Sequence, residues 1–244
     1  QQAVNFAAMG VLSGFQDIVV AGGVESMSRP SPMHVDGFTA NNKHLRDQYD
    51  MVPQGISADL IATTEGFTRE QCDQLGVDSQ IRAAAAIAEG RFDRSLVPIF
   101  HDDGTLALDH EEFPRPGTTV EDLGKLSPSF QGMGAHVLAD RGKSIDEIAR
   151  IAYPHIDAIN HVHHAGNSSG VVDGAGAVLV TSPDYAKAHG LKPRAKIIMT
   201  AVAGTEPVIM LTAPGPATHL VLKKAGMTID DIDLFEVNEA FAAV

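Results

Sequence analysis

A chain of 244 residues with 44% apolar and 20% charged side chains can bury a core in one large domain or two smaller ones. Its 18 basic and 31 acidic side chains leave a net charge of −13, a field that repels nucleic acid and anionic membranes, since both bind through clustered Lys and Arg. No run of 18 apolar residues exists to span a bilayer, and the lone cysteine, Cys72, excludes a disulfide framework and a cysteine zinc site while suiting a reducing, cytoplasmic compartment.

The chain opens on Gln1 and passes directly into apolar residues at helical spacing: Ala3, Val4, Ala7, Ala8, Val11 and Leu12. Phe6 and Met9 fill other faces, so this helix is expected to be buried nearly all round, with Gly14 as its C-cap. The run Asp17–Gly23, rich in β-branched residues and closed by glycines, reads as a buried strand. From Arg29 to about His164 prolines and charges dominate, with short amphipathic helices embedded. Residues 57–67 form one of these, and Thr68 is placed to N-cap the next, with Glu70 and Gln71 in its first turn. Residues 101–119 read as a hairpin or irregular loop, and a helix from Ser144 runs until Pro154 interrupts it.

A different texture resumes at Gly166. A glycine-rich turn, Gly166–Gly170, leads into a strand; a short helix ends at Gly190; residues 194–204 read as a strand; and a helix from Pro216 stops at Gly226. Residues 231–244 read as a strand passing into the start of a helix. Strand alternating with helix implies an α/β fold with a largely parallel or mixed sheet, interrupted by an insertion between Arg29 and His164. Both termini fall inside apparent secondary structure, so the chain is expected to be a piece cut at both ends.

Four places carry chemistry-bearing side chains. The Gly166–Gly170 turn lacks the phosphate-loop and dinucleotide patterns. It is either a glycine turn that relieves backbone crowding or a loop whose serines offer hydroxyls and amides to a ligand. His161, His163 and His164 lie within four residues, but no carboxylate stands at regular ligand spacing, and hydrogen bonding or solvation explains such a trio better than a metal. Cys72 sits mid-helix among Glu70, Asp73 and Asp78, which disfavour a thiolate, so it reads as structural. The pair Asn238–Glu239 leaves a strand and enters a helix, where it serves either as a cap or as a functional group at a strand end.

Taken together and in order, three segments resemble the thiolase family. Residues 19–28 (VVAGGVESMS), 164–180 (HAGNSSGVVDGAGAVLV) and 236–244 (EVNEAFAAV) are similar to its motifs. The opening QQAVNFAAMGVLSG resembles the helix that follows the family's nucleophile, and EGRFDRSLVPI resembles part of its inserted region, so the match covers essentially the whole chain. The resemblance implies a layered α/β/α/β/α core with an inserted loop domain, here incomplete. Residues 1–28 and 172–190 would belong to the N-terminal lobe, 29–171 to a coenzyme A-binding loop domain, and 191–244 to the start of the C-terminal lobe.

It implies an acyltransferase of fatty-acid metabolism, β-oxidation included. Such an enzyme reversibly cleaves or condenses 3-ketoacyl-CoA through a cysteine thioester, with a histidine and a second cysteine moving protons. The motifs carrying those three residues are absent, so the piece alone is expected to be inactive. Among the residues present, Asn238 would hold an oxyanion-hole water, with Glu239 supporting that network. Ala240 and Phe241 would line the thioester pocket, Ser169 and Phe130 would contact the pantetheine arm, Arg115 would lie near the adenine end, and Lys125 would offer charge to phosphate. Coenzyme A and acyl-CoA are substrates, no permanent cofactor or metal is implied, and the assembly would be a homodimer or homotetramer. Pro53-Gln54-Gly55 stands where many members carry His-Met-Gly, and the loop from Phe130 to Ala165 is longer than in the short biosynthetic type. Both changes favour a larger acyl group. A non-catalytic acyl-CoA-binding or assembly subunit, or a related condensing synthase, remain alternatives.

Overall fold

The structure, a computed structural model, describes residues 1–29 and 42–244. In chain order the elements are α1 (Gln2–Leu12), β1 (Ile18–Ser26), α2 (Lys43–Gln48), α3 (Gln54–Glu65), α4 (Arg69–Ala88), β2 (Ile99–Phe100), β3 (Leu106–Leu108), α5 (Val120–Gly124), α6 (Gln131–Gly134), β4 (Val137–Leu138), β5 (Lys143–Ser144), α7 (Ile145–Ala152), β6 (Asp173–Thr181), α8 (Pro183–Ala188) and α9 (Pro214–Ala225). Contacts divide the chain into two compact units. Among the described residues no helix is long and apolar enough to cross a membrane.

One unit draws on Gln1–Asn42, Val171–Thr205 and Thr212–Val237, of which residues 30–41 lie outside the description. Its centre is an antiparallel ribbon in which Ile18 pairs with Thr181 and Ser26 with Asp173. At the ribbon's end Asp173 accepts from the Ser28 amide (2.9 Å) and hydroxyl (2.6 Å). Helix α1 lies against both strands and buries Asn5, Ala7 and Ala8, small enough for close approach, while Phe6, Met9 and Leu12 remain exposed. The expectation of a helix buried all round is therefore corrected: only the face toward the ribbon is covered. Gly14 follows the helix with φ +76°, and Gly226 ends α9 with φ +68°, both left-handed positions that favour glycine.

The other unit comprises Lys43–Gly170, Glu206–Leu211 and Asn238–Val244. Its core is built on α3, whose Ile56 and Leu60 are wholly buried, and on α7, whose Ile145, Ile148 and Ala149 recur at one-turn spacing on the inward face. Burying a side chain such as Ile148 contributes about 2 kcal/mol. Thr68 caps α4: its hydroxyl accepts from the Gln71 amide while the Gln71 side chain accepts from the Thr68 amide. Ser144 and Glu147 repeat this device at α7, which stops at Tyr153, just before Pro154. The hairpin lies over residues 99–108, starting ahead of the 101–119 span expected for a hairpin or irregular loop, and 109–119 forms no strand.

Every ladder among the described residues is antiparallel, because alternation of strand and helix says nothing about direction when the connection is as long as that from β1 to β6. Residues 194–204 and 232–237 have strand-like composition but pair with no strand among the described residues. Extended backbone becomes a strand only when its amides meet a partner. Nor does a helix begin at Glu239; Phe241 instead bridges antiparallel to Ser168.

Candidate active site

The glycine turn meets the C-terminal segment of the chain by backbone pairing. The Ser169 amide donates to the Ala240 carbonyl (2.9 Å), the Ala242 amide to the Asn167 carbonyl (3.0 Å), and Ser168 bridges Phe241. The turn is seated on α4 at a point where two glycines meet. A Cβ at Gly76 would lie 2.4 Å from the Gly166 carbonyl oxygen, so crowding relief is one reason for the glycines. Beside this junction opens a cavity of about 290 Å³, walled in part by Ser79, Gln80, Phe113, Ser168, Ser169 and Glu239.

The side chains singled out in the sequence fall into two sets. Ser169, Asn238, Glu239, Ala240, Phe241 and Phe130 come together. Phe130 meets the Phe241 ring edge to face at 5.9 Å, and a Cβ at Gly55 would lie 2.3 Å from the Phe130 ring, so the glycine of Pro53-Gln54-Gly55 makes room for that ring. Asn238 and Ser169 are exposed, and neither side chain makes a hydrogen bond among the described residues. Arg115 is exposed beside the cavity-lining Phe113 and Pro114, and its amide donates to the Gln80 side chain (2.6 Å). Lys125 stands apart from the cavity lining. Its ammonium pairs with Asp122 (2.9 Å) and Glu121 (3.7 Å) on α5, and these contacts hold its pKa above the ordinary lysine value.

The histidine trio is hydrogen-bonded, with His163 and His164 buried and His161 partly buried. His161 Nδ1 lies 2.7 Å from Asp59 Oδ2 and its Nε2 lies 3.0 Å from Asp146 Oδ2. Both partners are carboxylates, which only accept, so both ring nitrogens carry protons. Burial is the largest influence on His161 and lowers its pKa, but the hydrogen bonds to Asp59 and Asp146 outweigh it and the net shift is upward. At Asp59 burial likewise acts most strongly, upward, yet the hydrogen bonds from His161, His163 and the Val162 amide bring it below the usual carboxylate value. His164 donates from Nε2 to Asp73 (2.7 Å) and accepts at Nδ1 from the Gly166 amide (3.0 Å); burial lowers its pKa. Asp73 also receives Arg69 Nε (2.8 Å) and Asn167 Nδ2 (2.8 Å), so α4 holds the glycine turn through this one carboxylate.

Cys72 lies in the core and its thiol is pushed up to about 11, by burial first and then by the charges of Asp73 and Asp59. Desolvation rather than the neighbouring acids Glu70, Asp73 and Asp78 is the chief cause. The residues not legible in the sequence are Asp59 and Asn167. Their partners stand up to 104 positions away, beyond any local pattern.

The family description "Thiolase, N-terminal domain" matches residues 1–146, and "Thiolase, C-terminal domain" matches 191–244. The chain is 40% identical over 246 aligned residues to a 3-ketoacyl-CoA thiolase of Aeromonas hydrophila, covering 99% of this chain and 56% of that protein. It is 38% identical to an acetyl-CoA acetyltransferase of Allochromatium vinosum, with 99% and 58% covered. The human mitochondrial 3-ketoacyl-CoA thiolase structure superposes with a TM-score of 0.75 at 30% identity, over 99% of this chain and 58% of that one. The dimeric peroxisomal thiolase of Saccharomyces cerevisiae does so at 0.78 and 29% identity, over 99% and 55%. The chain thus spans a little over half the length of these relatives. With its α/β fold shared and more than half of its length matched by a single domain description, the chain belongs to the thiolase family.

Proposed function

We propose that these residues form part of a thiolase-type acyltransferase. It exchanges acyl groups between coenzyme A and a cysteine thioester, in reversible thiolytic cleavage or Claisen condensation of 3-ketoacyl-CoA. The observation that carries this reading is the pairing of Ser169 with Ala240 beside one cavity, which joins the two motif-bearing segments. Asn238 has a side-chain amide free of hydrogen bonds among the described residues, suited to hold the water that stabilises an oxyanion. Glu239 supports it from the cavity wall. Ala240, Phe241 and Phe130 offer an apolar surface to the thioester and pantetheine, and Ser169 offers a free hydroxyl.

Arg115 provides for the adenine end a guanidinium that is unpaired among the described residues. Lys125 can exchange its exposed carboxylate partners for phosphate, since surface pairs of this kind are weak and screened by solvent. Pro53-Gln54-Gly55 in place of His-Met-Gly and the longer loop from Phe130 to Ala165 support a larger acyl group than acetoacetyl. We assign 1–28 and 172–190 to the N-terminal lobe, 29–171 to the loop domain and 191–244 to the start of the C-terminal lobe. A homodimer or homotetramer in the cytoplasm is the setting proposed. The nucleophile is a cysteine other than Cys72, whose buried, weakly acidic thiol forms too little thiolate to attack.

Calorimetric titration of the purified 244-residue chain with coenzyme A, alongside an acetoacetyl-CoA thiolysis assay, tests both halves. Binding without turnover is expected. No binding at millimolar coenzyme A would overturn the site, and turnover would overturn the exclusion of Cys72.

A further inference from the structure

We propose that His163 is a positioning residue that holds the Asn238–Val244 segment in place, with Asp59 selecting the ring tautomer that does so. The proposal rests on the reading of that segment as part of the thioester site. His163 is completely buried, and both of its ring nitrogens are engaged. Asp59 Oδ1 lies 2.7 Å from Nδ1 and also accepts from the backbone amides of Val162 (3.0 Å) and His163 (3.1 Å). A carboxylate cannot donate once His161, protonated on both nitrogens, occupies its other oxygen at 2.7 Å. The proton of His163 therefore sits on Nδ1. That leaves the Nε2 lone pair free, and the Ala243 amide donates to it at 3.2 Å. The same ring meets Phe241 edge to face at 5.6 Å.

The other ties to this segment, Ser169 to Ala240 and Ala242 to Asn167, join backbone to backbone and are indifferent to residue type. His163 adds a side-chain hydrogen bond to them, beside the ring contact of Phe130 with Phe241. Only a five-membered ring with a donor on one side and an acceptor on the other bridges Asp59 and Ala243 at once. Asparagine reproduces the Nδ1 side and glutamine reproduces the Nε2 side.

The test uses the 244-residue chain. In the wild type, nitrogen shifts of His163 should report the Nδ1–H tautomer; an Nε2–H tautomer overturns the proposal without recourse to any variant. In His163→Asn the Ala243 amide should exchange with solvent about tenfold faster, the equivalent of losing one hydrogen bond of about 1.4 kcal/mol, and coenzyme A affinity should fall by a similar factor. In His163→Gln, which keeps an acceptor for Ala243, both should stay within about threefold of wild type. Equal losses in the two variants, or full protection in His163→Asn, would show a merely structural histidine. Failure of the wild type to bind coenzyme A would count against the proposed function, whereas the tautomer and exchange data judge His163 on their own.

Discussion

Replacing Gly76 by alanine sets two effects of known size against each other. Gly76 lies inside α4, and a glycine-to-alanine change in a helix interior stabilises by about 1 kcal/mol when nothing stands in the way. Here the new Cβ would lie 2.4 Å from the Gly166 carbonyl oxygen, where at least 3.0 Å is needed, so the turn must retreat by no less than 0.6 Å. It is poorly free to do so, because His164 and Asn167 are bound at 2.7 and 2.8 Å to Asp73 on the same helix. Overpacking costs about 1–3 kcal/mol, and weakening a hydrogen bond to a charged group costs about 1.5–3 kcal/mol. The clash wins by about 1.5–5 kcal/mol, which for a chain of this size lowers the melting midpoint by roughly 3–20 °C. The displaced turn carries Ser169, proposed above to meet the pantetheine arm, so on that proposal coenzyme A affinity should fall as well. Gly132→Ala on α6, where a Cβ meets nothing within 4 Å, serves as the control and should melt at or slightly above wild type. Thermal denaturation followed by circular dichroism reads both. A Gly76→Ala chain that melts no lower than wild type would refute the reasoning.

Thr68→Ala removes one half of a reciprocal cap and should destabilise the chain by about 1 kcal/mol in urea titration, whereas Thr68→Ser should be close to neutral. His161 has a raised folded pKa, so its contribution to stability is fully present below its unfolded value of about 6.5 and is lost as pH rises through the folded one. The stability gap between wild type and His161→Gln should therefore be widest in mild acid and narrow toward alkaline pH; a gap that widens instead would contradict the doubly protonated ring. Cys72 should resist a thiol reagent at pH 8 in the native chain and react fully in denaturant, and stoichiometric native labelling would contradict its burial.

Local signals in the sequence carried much of this structure. Thr68 with Gln71, Pro154 and Gly226 mark helix ends through contacts no more than a few residues long, and those ends lie where the residues place them. The meeting of the glycine turn with Asn238–Phe241 was legible through family resemblance rather than through spacing. What the sequence could not show are features decided by distant partners. Residues 194–204 resemble a strand by composition but have no strand partner among the described residues. Phe6, Met9 and Leu12 look like core but face away from the ribbon that α1 covers. The histidine trio suggested solvation or hydrogen bonding. Which bonds form depends on Asp59 and Asp73, acids on two other helices whose inward placement only the packing of α3 and α4 reveals.

The β1–β6 ribbon has a further consequence for handling the chain in solution. Each strand pairs only with the other among the described residues, leaving nine-residue outer flanks of unmatched amides and carbonyls beside exposed Val20, Val24 and Val178. Such flanks template intermolecular β-pairing when chains are crowded. Precipitation on concentration or heating should therefore begin there rather than in the helical unit, and a lysine introduced at Val20 should delay the onset of light scattering.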